Sequence, residues 1–134
     1  MPAKRINPST LYETLDFGFS HAAESSGGRL IHCAGQVAWD KDRNVVGAGD
    51  LQAQARQVLA NLKAVLAEAG ATPADIVRIR TYVVDHTPDK LAIVGPELGA
   101  FYGDAVPAPN TWLGVQALAL PDFLIEIEAT AQLP

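Results

Sequence analysis

From Leu51 to Ala69 the residues Val58, Leu59, Leu62, Val65, Leu66 and Ala69 recur at spacings of one, three and four. That spacing draws one apolar stripe down a helix of about 3.6 residues per turn. Gln52, Gln54, Arg56, Lys63 and Glu68 fall on the other face. Asp50 precedes the helix as a side chain able to cap its first free amides, and Gly70 follows it where a left-handed residue usually ends a helix. A single-striped helix gains most of its stability by burying that stripe, so the remaining chain must supply a second layer.

Strand patterns supply it. Ile76-Val77-Arg78-Ile79-Arg80-Thr81-Tyr82-Val83-Val84 is rich in β-branched residues with cations at alternate positions, and Thr72-Pro73-Ala74-Asp75 makes a capped turn into it. Phe123 to Gln132 alternates strictly. Phe123, Ile125, Ile127, Ala129 and Ala131 share one face; Leu124, Glu126, Glu128 and Thr130 share the other. Gly18 to Glu24 and Arg29 to Gly35, separated by Ser25-Ser26-Gly27-Gly28, read as a β-hairpin. Thr111 to Leu118, after the turn Val106-Pro107-Ala108-Pro109, reads as a strand. A second helix is expected between Thr87 and Gly103, broken or kinked into two pieces by Gly95 and Pro96.

The resulting order, β-β-α-β-α-β-β, implies a single α+β domain over residues 1–134 with its helices on one face of a sheet. The other sheet face carries Trp112 or Leu113 with Tyr82, Val84 and Leu124 beside charged groups. That mixture fits a symmetric assembly or a monomer with a mixed outer face, and pattern alone does not choose between them.

With 134 residues and 49% hydrophobic content, the chain can close one core without metals or disulfides. Its one cysteine, Cys33, can form neither an internal disulfide nor a thiolate cluster, and its setting in an apolar run reads as a buried thiol. The start, Met1-Pro2-Ala3-Lys4-Arg5, lacks an apolar signal core, and no apolar stretch reaches the roughly 18 residues of a membrane span. A cytoplasmic protein without membrane contact is expected. Ten basic and fifteen acidic residues give a net charge of −5 with no basic cluster, which disfavours nucleic acid.

No phosphate-cradling loop, nucleophile elbow or helical His pair is present, so neither a metal nor a cofactor is expected. His21, His32 and His86 lie in unrelated segments and receive no catalytic role. Glu126 and Glu128 stand out as two carboxylates on one strand face, where partial burial would raise a carboxyl pKa toward a range useful for proton transfer. On the residues alone, a solvated face or a structural ion pair with Arg78 or Arg80 is the favoured explanation of the pair.

Several segments together resemble the Rid (YjgF) family of reactive-intermediate imine and enamine deaminases. They are Gly18-Phe19-Ser20-His21-Ala22, Ala34-Gly35-Gln36-Val37, the helix from Gln54 to Leu66, Ala69-Gly70-Ala71-Thr72, and Ile125-Glu126-Ile127-Glu128-Ala129. Their order and spacing make the combination specific. The resemblance implies a chorismate-mutase-like α+β fold and a homotrimer with small-molecule clefts between neighbouring subunits. It places Glu126 at the position of a water-orienting glutamate, with Glu128 beside it.

It also exposes departures. An arginine that holds a substrate carboxylate falls here at Asn110, or at Pro109 if the turn aligns differently, and neither offers a guanidinium fork. Phe19 replaces a tyrosine, Ala34 precedes Gly35 in place of a serine or threonine, and Trp112 stands where a small residue lines the cleft. The expected activity is therefore hydrolytic deamination of small reactive imines or enamines other than simple 2-imino acids, or a related small-molecule hydrolysis, in a cleft between subunits. Glu126 would be catalytic, and Asn110, Phe19, Trp112, Ala34, Gly35 and Glu128 would contact substrate. The alternative is a non-catalytic ligand-binding or regulatory trimer.

Overall fold

The computed structural model describes residues 3–134; Met1 and Pro2, which open the segment without a signal core, lie outside the described residues. In chain order the elements are β1 (Lys4–Ile6), β2 (Ala22–Glu24), β3 (Arg29–Gln36), α1 (Leu51–Glu68), β4 (Ile76–Val84), α2 (Asp89–Tyr102), β5 (Asn110–Val115) and β6 (Ile125–Leu133). The main sheet runs β3-β6-β4-β5. β6 is antiparallel to both of its neighbours, and β5 runs parallel to β4 through the α2 crossover. The α+β architecture with two helices against one sheet face is as the pattern implied.

Leu62, Leu66, Ile76, Ile79, Val83, Ile125 and Ile127 form the centre of the core between α1, α2 and the sheet. The alternation of β6 holds from Ile125 to Ala131: Ile125, Ile127, Ala129 and Ala131 are buried, and Glu126, Glu128 and Thr130 are half-buried on the outer face, while Gln132 beyond them is buried too. Asp50 caps α1 through its carboxylate, which accepts from the Ala53 amide at 3.1 Å.

Several expectations are corrected. β2 does not form a hairpin with β3; it pairs antiparallel with β1, a strand of three residues too short and too charged to carry a periodic signal. The Ser25–Gly28 turn packs instead against the C-terminal strand, where Gln132 Nε2 donates to the Gly27 carbonyl at 2.6 Å. α2 is one helix from Asp89 to Tyr102 despite Pro96. Pro96 and Ala92, whose carbonyl loses its partner to the proline, are both exposed, so water can satisfy that group. β5 ends at Val115, short of Leu118. On α1, Val65 is exposed although it matches the stripe.

Gln54 is the reverse case, since its position in the period puts it on the polar face and yet it is fully buried. Its Nε2 donates to the carbonyls of Gly47 (3.1 Å) and Asp122 (2.8 Å), and its Oε1 accepts from the Leu124 amide at 2.9 Å. One amide thus ties α1 to the preceding loop and to the start of β6.

Candidate active site

β6 and its two neighbours assemble a cluster of polar side chains on the outer sheet face. Tyr82 lies opposite Glu126 and Arg80 opposite Glu128 in the β4–β6 register, so all four side chains project from the same face. The Tyr82 hydroxyl donates to Glu128 Oε1, and Arg80 Nη1 approaches the same oxygen at 3.5 Å. Of the two carboxylates, Glu128 is therefore the one held by an ion pair. The bond to Glu128, followed by partial burial, raises the Tyr82 phenol above its ordinary pKa and keeps it a proton donor. Glu126 has no hydrogen-bond partner among the described residues. Its carboxyl is raised above the ordinary range, first by burial and then by the charge of Glu128.

On the other side of β6, the register with β3 slips between Cys33 and Gln36, and Ala34 and Gly35 occupy the irregularity. Gly35 faces Glu126 so closely that a Cβ there would lie 2.6 Å from the Glu126 carboxyl carbon and 2.8 Å from its Cγ. Gly35 is not in the left-handed region, so what the position demands is space. Ala34 is exposed beside it, and its carbonyl accepts from Gln36 Nε2 at 3.1 Å. Cys33, one residue earlier, is buried on the core side, and burial pushes its thiol upward.

A separate cleft of about 440 Å³ opens at the start of β5, lined by Tyr12, Phe19, His21, Arg78, Asn110 and Thr111 among others. Its aromatic wall is stacked: the His21 ring meets Tyr12 edge-on at 4.8 Å and Phe19 at 6.4 Å between centroids. His21 Nε2 lies 2.9 Å from the Tyr12 carbonyl; a carbonyl can only accept, so this nitrogen carries the proton. A polar knot holds the wall in place. Asn7 Oδ1 accepts from the His21 amide (2.8 Å) and Thr14 hydroxyl (3.3 Å), and the Ser20 hydroxyl donates to the Pro107 carbonyl at 2.6 Å.

Comparison with known proteins agrees with this architecture. A family described as Endoribonuclease L-PSP matches residues 16–133. A crystal structure from Yersinia pestis, YyfB, described as a protein of unknown function of the conserved Rid family, is 60% identical with a TM-score of 0.96, covering 99% of this chain and 100% of that one. The chain belongs to the Rid (YjgF) family. A RutC family protein of Pyrococcus abyssi is 34% identical over 105 residues, 78% of this chain and 79% of that protein. Escherichia coli TdcF, solved with bound serine, is 25% identical with a TM-score of 0.71 over 82% of this chain and 85% of that chain.

The residues singled out in this Rid chain fall into three places. Glu126, Glu128, Gly35 and Ala34 gather around β6, and Phe19 and Asn110 share the cleft with Pro109. The two groups are separated by β4; three residues along and two strands across put Glu126 and Asn110 about 14 Å apart. Trp112 stands apart from both. It pairs with Thr81 on the helix-covered face, and its Nε1 donates to His86 Nδ1 at 3.3 Å. Leu113, opposite Tyr82, is thus the β5 residue on the outer face. Asn110 Oδ1 accepts from the buried Thr81 hydroxyl at 3.2 Å.

Sequence reasoning did not single out Tyr12, His21, Arg78, Arg80 or Tyr82 as site residues. The alternate cations of β4 were the available signal for Arg78 and Arg80. Tyr12 lies in a segment without periodicity, and only the fold brings it to the cleft. Among the described residues no group of three or more His, Cys, Asp or Glu stands together as a metal site, and no helix is long and apolar enough to cross a membrane.

Proposed function

We propose that this chain hydrolyses small reactive imines or enamines to the carbonyl compound and free amine or ammonia, at sites completed between subunits of a homotrimer. The observation that carries this reading is the Glu126 carboxylate, half-buried, unpaired among the described residues, and lodged over a glycine beside a second carboxylate. An iminium carbon is already electrophilic, so a positioned water and a base suffice. Glu126 takes a proton from water as oxygen bonds to carbon, giving a carbinolamine. The proton then passes to nitrogen, the C–N bond breaks, the hydroxyl proton is lost, and the carbonyl forms. An enamine enters the same route once its β-carbon is protonated.

The trimer is supported by the division of the site, since Glu126 and the Phe19–Asn110 cleft do not meet in one chain. The same outer face carries Tyr82, Val84, Leu113 and Leu124 beside Glu126, which a neighbour would cover. A cytoplasmic setting accords with one unpaired, buried cysteine, and the net charge of −5 argues against RNA as substrate despite the family's description.

Imines generated in situ by an amino-acid or amine oxidase, with semicarbazide as competing trap, test the reading. Wild-type protein is expected to suppress the trapped product, and Glu126→Ala to lose that suppression while keeping the same oligomer on a sizing column. Full suppression by Glu126→Ala would remove Glu126 from the chemistry.

The acid limb of the rate supplies a second test. A base works when deprotonated, so a raised Glu126 pKa places the rise of activity above the ordinary carboxylate range. Glu128→Gln removes the second cause of that shift and is expected to move the limb to lower pH, with burial keeping part of the displacement. An unmoved limb would mean that Glu128 does not act on the titrating group.

A second reading, ligand binding without turnover, draws on the serine bound to TdcF. Saturable binding with no product in the same assay would favour it.

A further inference from the structure

We propose that Tyr82 and Arg80 are positioning residues for the carboxylate pair of β6, drawing Glu128 toward β4 so that Glu126 alone is left to take a proton from water. Glu126 and Glu128 stand two residues apart on one strand face. That spacing puts their Cα atoms roughly 7 Å apart, within reach of two glutamate side chains that turn toward each other and share a proton. Here they diverge. Glu128 reaches sideways to β4, where its Oε1 accepts from the Tyr82 hydroxyl and faces Arg80 Nη1 at 3.5 Å. Glu126 leans the opposite way, over Gly35 of β3, where a Cβ would stand 2.6 Å from its carboxyl carbon. Tyr82 is paired in register with Glu126 yet bonds to Glu128, so its phenol runs diagonally along the β4 side of both carboxylates.

Two close carboxylates resist ionising together, and a proton held between them occupies both. Such a pair is a poor base for water. The phenol and the guanidinium meet the charge of Glu128 by other means, so Glu128 does not compete for the proton of Glu126. What reaches Glu126 from its neighbour is charge without contact, which adds to burial in raising its carboxyl. The remaining ionisable groups on this sheet face, among the described residues, are Arg78 on β4 and His32 on β3. Both stand beside Thr130, four residues along β6 from Glu126, and β5 places only Thr111, Leu113 and Val115 on the face. Glu128, Arg80 and Tyr82 are therefore the groups that act on Glu126 within one chain.

That Glu126 works as a base rests on the hydrolytic reading. The division between the two carboxylates does not, and it is read in the resting protein.

The experiment is a pH titration of the intact protein, labelled with carbon-13 glutamate, that follows the side-chain carboxyl carbons by NMR; Glu126→Gln and Glu128→Gln assign the two signals. In the wild type the Glu126 carbon is expected to move in a step of its own. Both carbons moving together through one step would reveal a shared proton and overturn the proposal. Arg80→Gln removes a cation and Tyr82→Phe a neutral donor; each releases Glu128 toward Glu126 and should move the Glu126 step to higher pH, the opposite direction to Glu128→Gln. Arg80→Lys, which keeps the charge, should move it less. Because Tyr82 is uncharged, its effect reports position, and in a Glu128→Gln background Tyr82→Phe should move nothing. A step that stays in place in both single variants, or a Tyr82→Phe shift that survives in Glu128→Gln, overturns the proposal. The acid limb of imine hydrolysis should follow the NMR step in each variant. If imines are hydrolysed while the Glu126 step ignores Arg80 and Tyr82, this inference falls and the hydrolytic reading stands; if the step moves as expected and no imine is hydrolysed, the division stands and the hydrolytic reading falls.

Discussion

Replacing Gly35 by alanine is expected to lower imine hydrolysis about 100-fold while leaving the fold in place. The added methyl would sit 2.6 Å from the carboxyl carbon of Glu126 and 2.8 Å from its Cγ, closer than carbon atoms pack, and nearer still to Oε2. The atoms it meets belong to a flexible side chain on a half-buried face, so the collision resolves by rotating Glu126 away and not by moving the sheet. Backbone strain does not enter, because Gly35 lies outside the left-handed region. The variant should therefore unfold within a few degrees of the wild type and still lose the carboxylate's position over the water. The semicarbazide competition assay reads the rate and a thermal melt reads the fold. Full activity in Gly35→Ala would mean that the carboxylate works from a position other than the one over Gly35.

The two carboxylates of β6 mark how far sequence reaches into this site. The period of two along Ile125-Glu126-Ile127-Glu128 is enough to put both on one face, because strand geometry leaves no freedom there. What distinguishes them is cross-strand: Tyr82 and Arg80 engage Glu128 and leave Glu126 unpaired, and only the β4–β6 register decides this. A one-residue slip in pairing would turn the whole strand over. Asn110 and Trp112 show the same limit. Both sit on β5 facing the helix side, yet Asn110 reaches the cleft at the strand's start while Trp112 reaches His86 farther along. The family resemblance had placed both in one cleft.

The fold was legible wherever burial follows period. α1, β4 and β6 were, since each buries one face against a continuous core. The partner of β2 was not, because Lys4-Arg5-Ile6 pairs through backbone hydrogen bonds that leave no mark on side-chain pattern. Pro96 misled in the other direction: a proline breaks a helix when the orphaned carbonyl is buried, and at this position it faces water.

Gln54 tests the same distinction energetically, and Gln54→Leu is expected to cost about 4 kcal/mol of unfolding free energy, since each buried group left without a partner costs about 1–3 kcal/mol. The substitution strands the carbonyl of Asp122 and the amide of Leu124, and it takes from the Gly47 carbonyl one of two donors, the Asp50 amide remaining. Leucine's apolar burial offsets part of that loss, because the site is fully closed to solvent. The remainder is a large fraction of the roughly 5–15 kcal/mol that holds a domain together. Urea unfolding at fixed protein concentration should show a lower midpoint with an unchanged slope; fixing the concentration matters because subunit association would add to apparent stability. Gln52→Leu on the exposed face of the same helix should shift stability by no more than about 0.5 kcal/mol. A cost below about 1 kcal/mol for Gln54→Leu, within the range of a single ordinary hydrogen bond, would show that water replaces the amide. The same tether sits two residues before Glu126, so a partly destabilised but folded variant should also lose activity ahead of structure as urea rises, with β6 loosening from its N-terminal end.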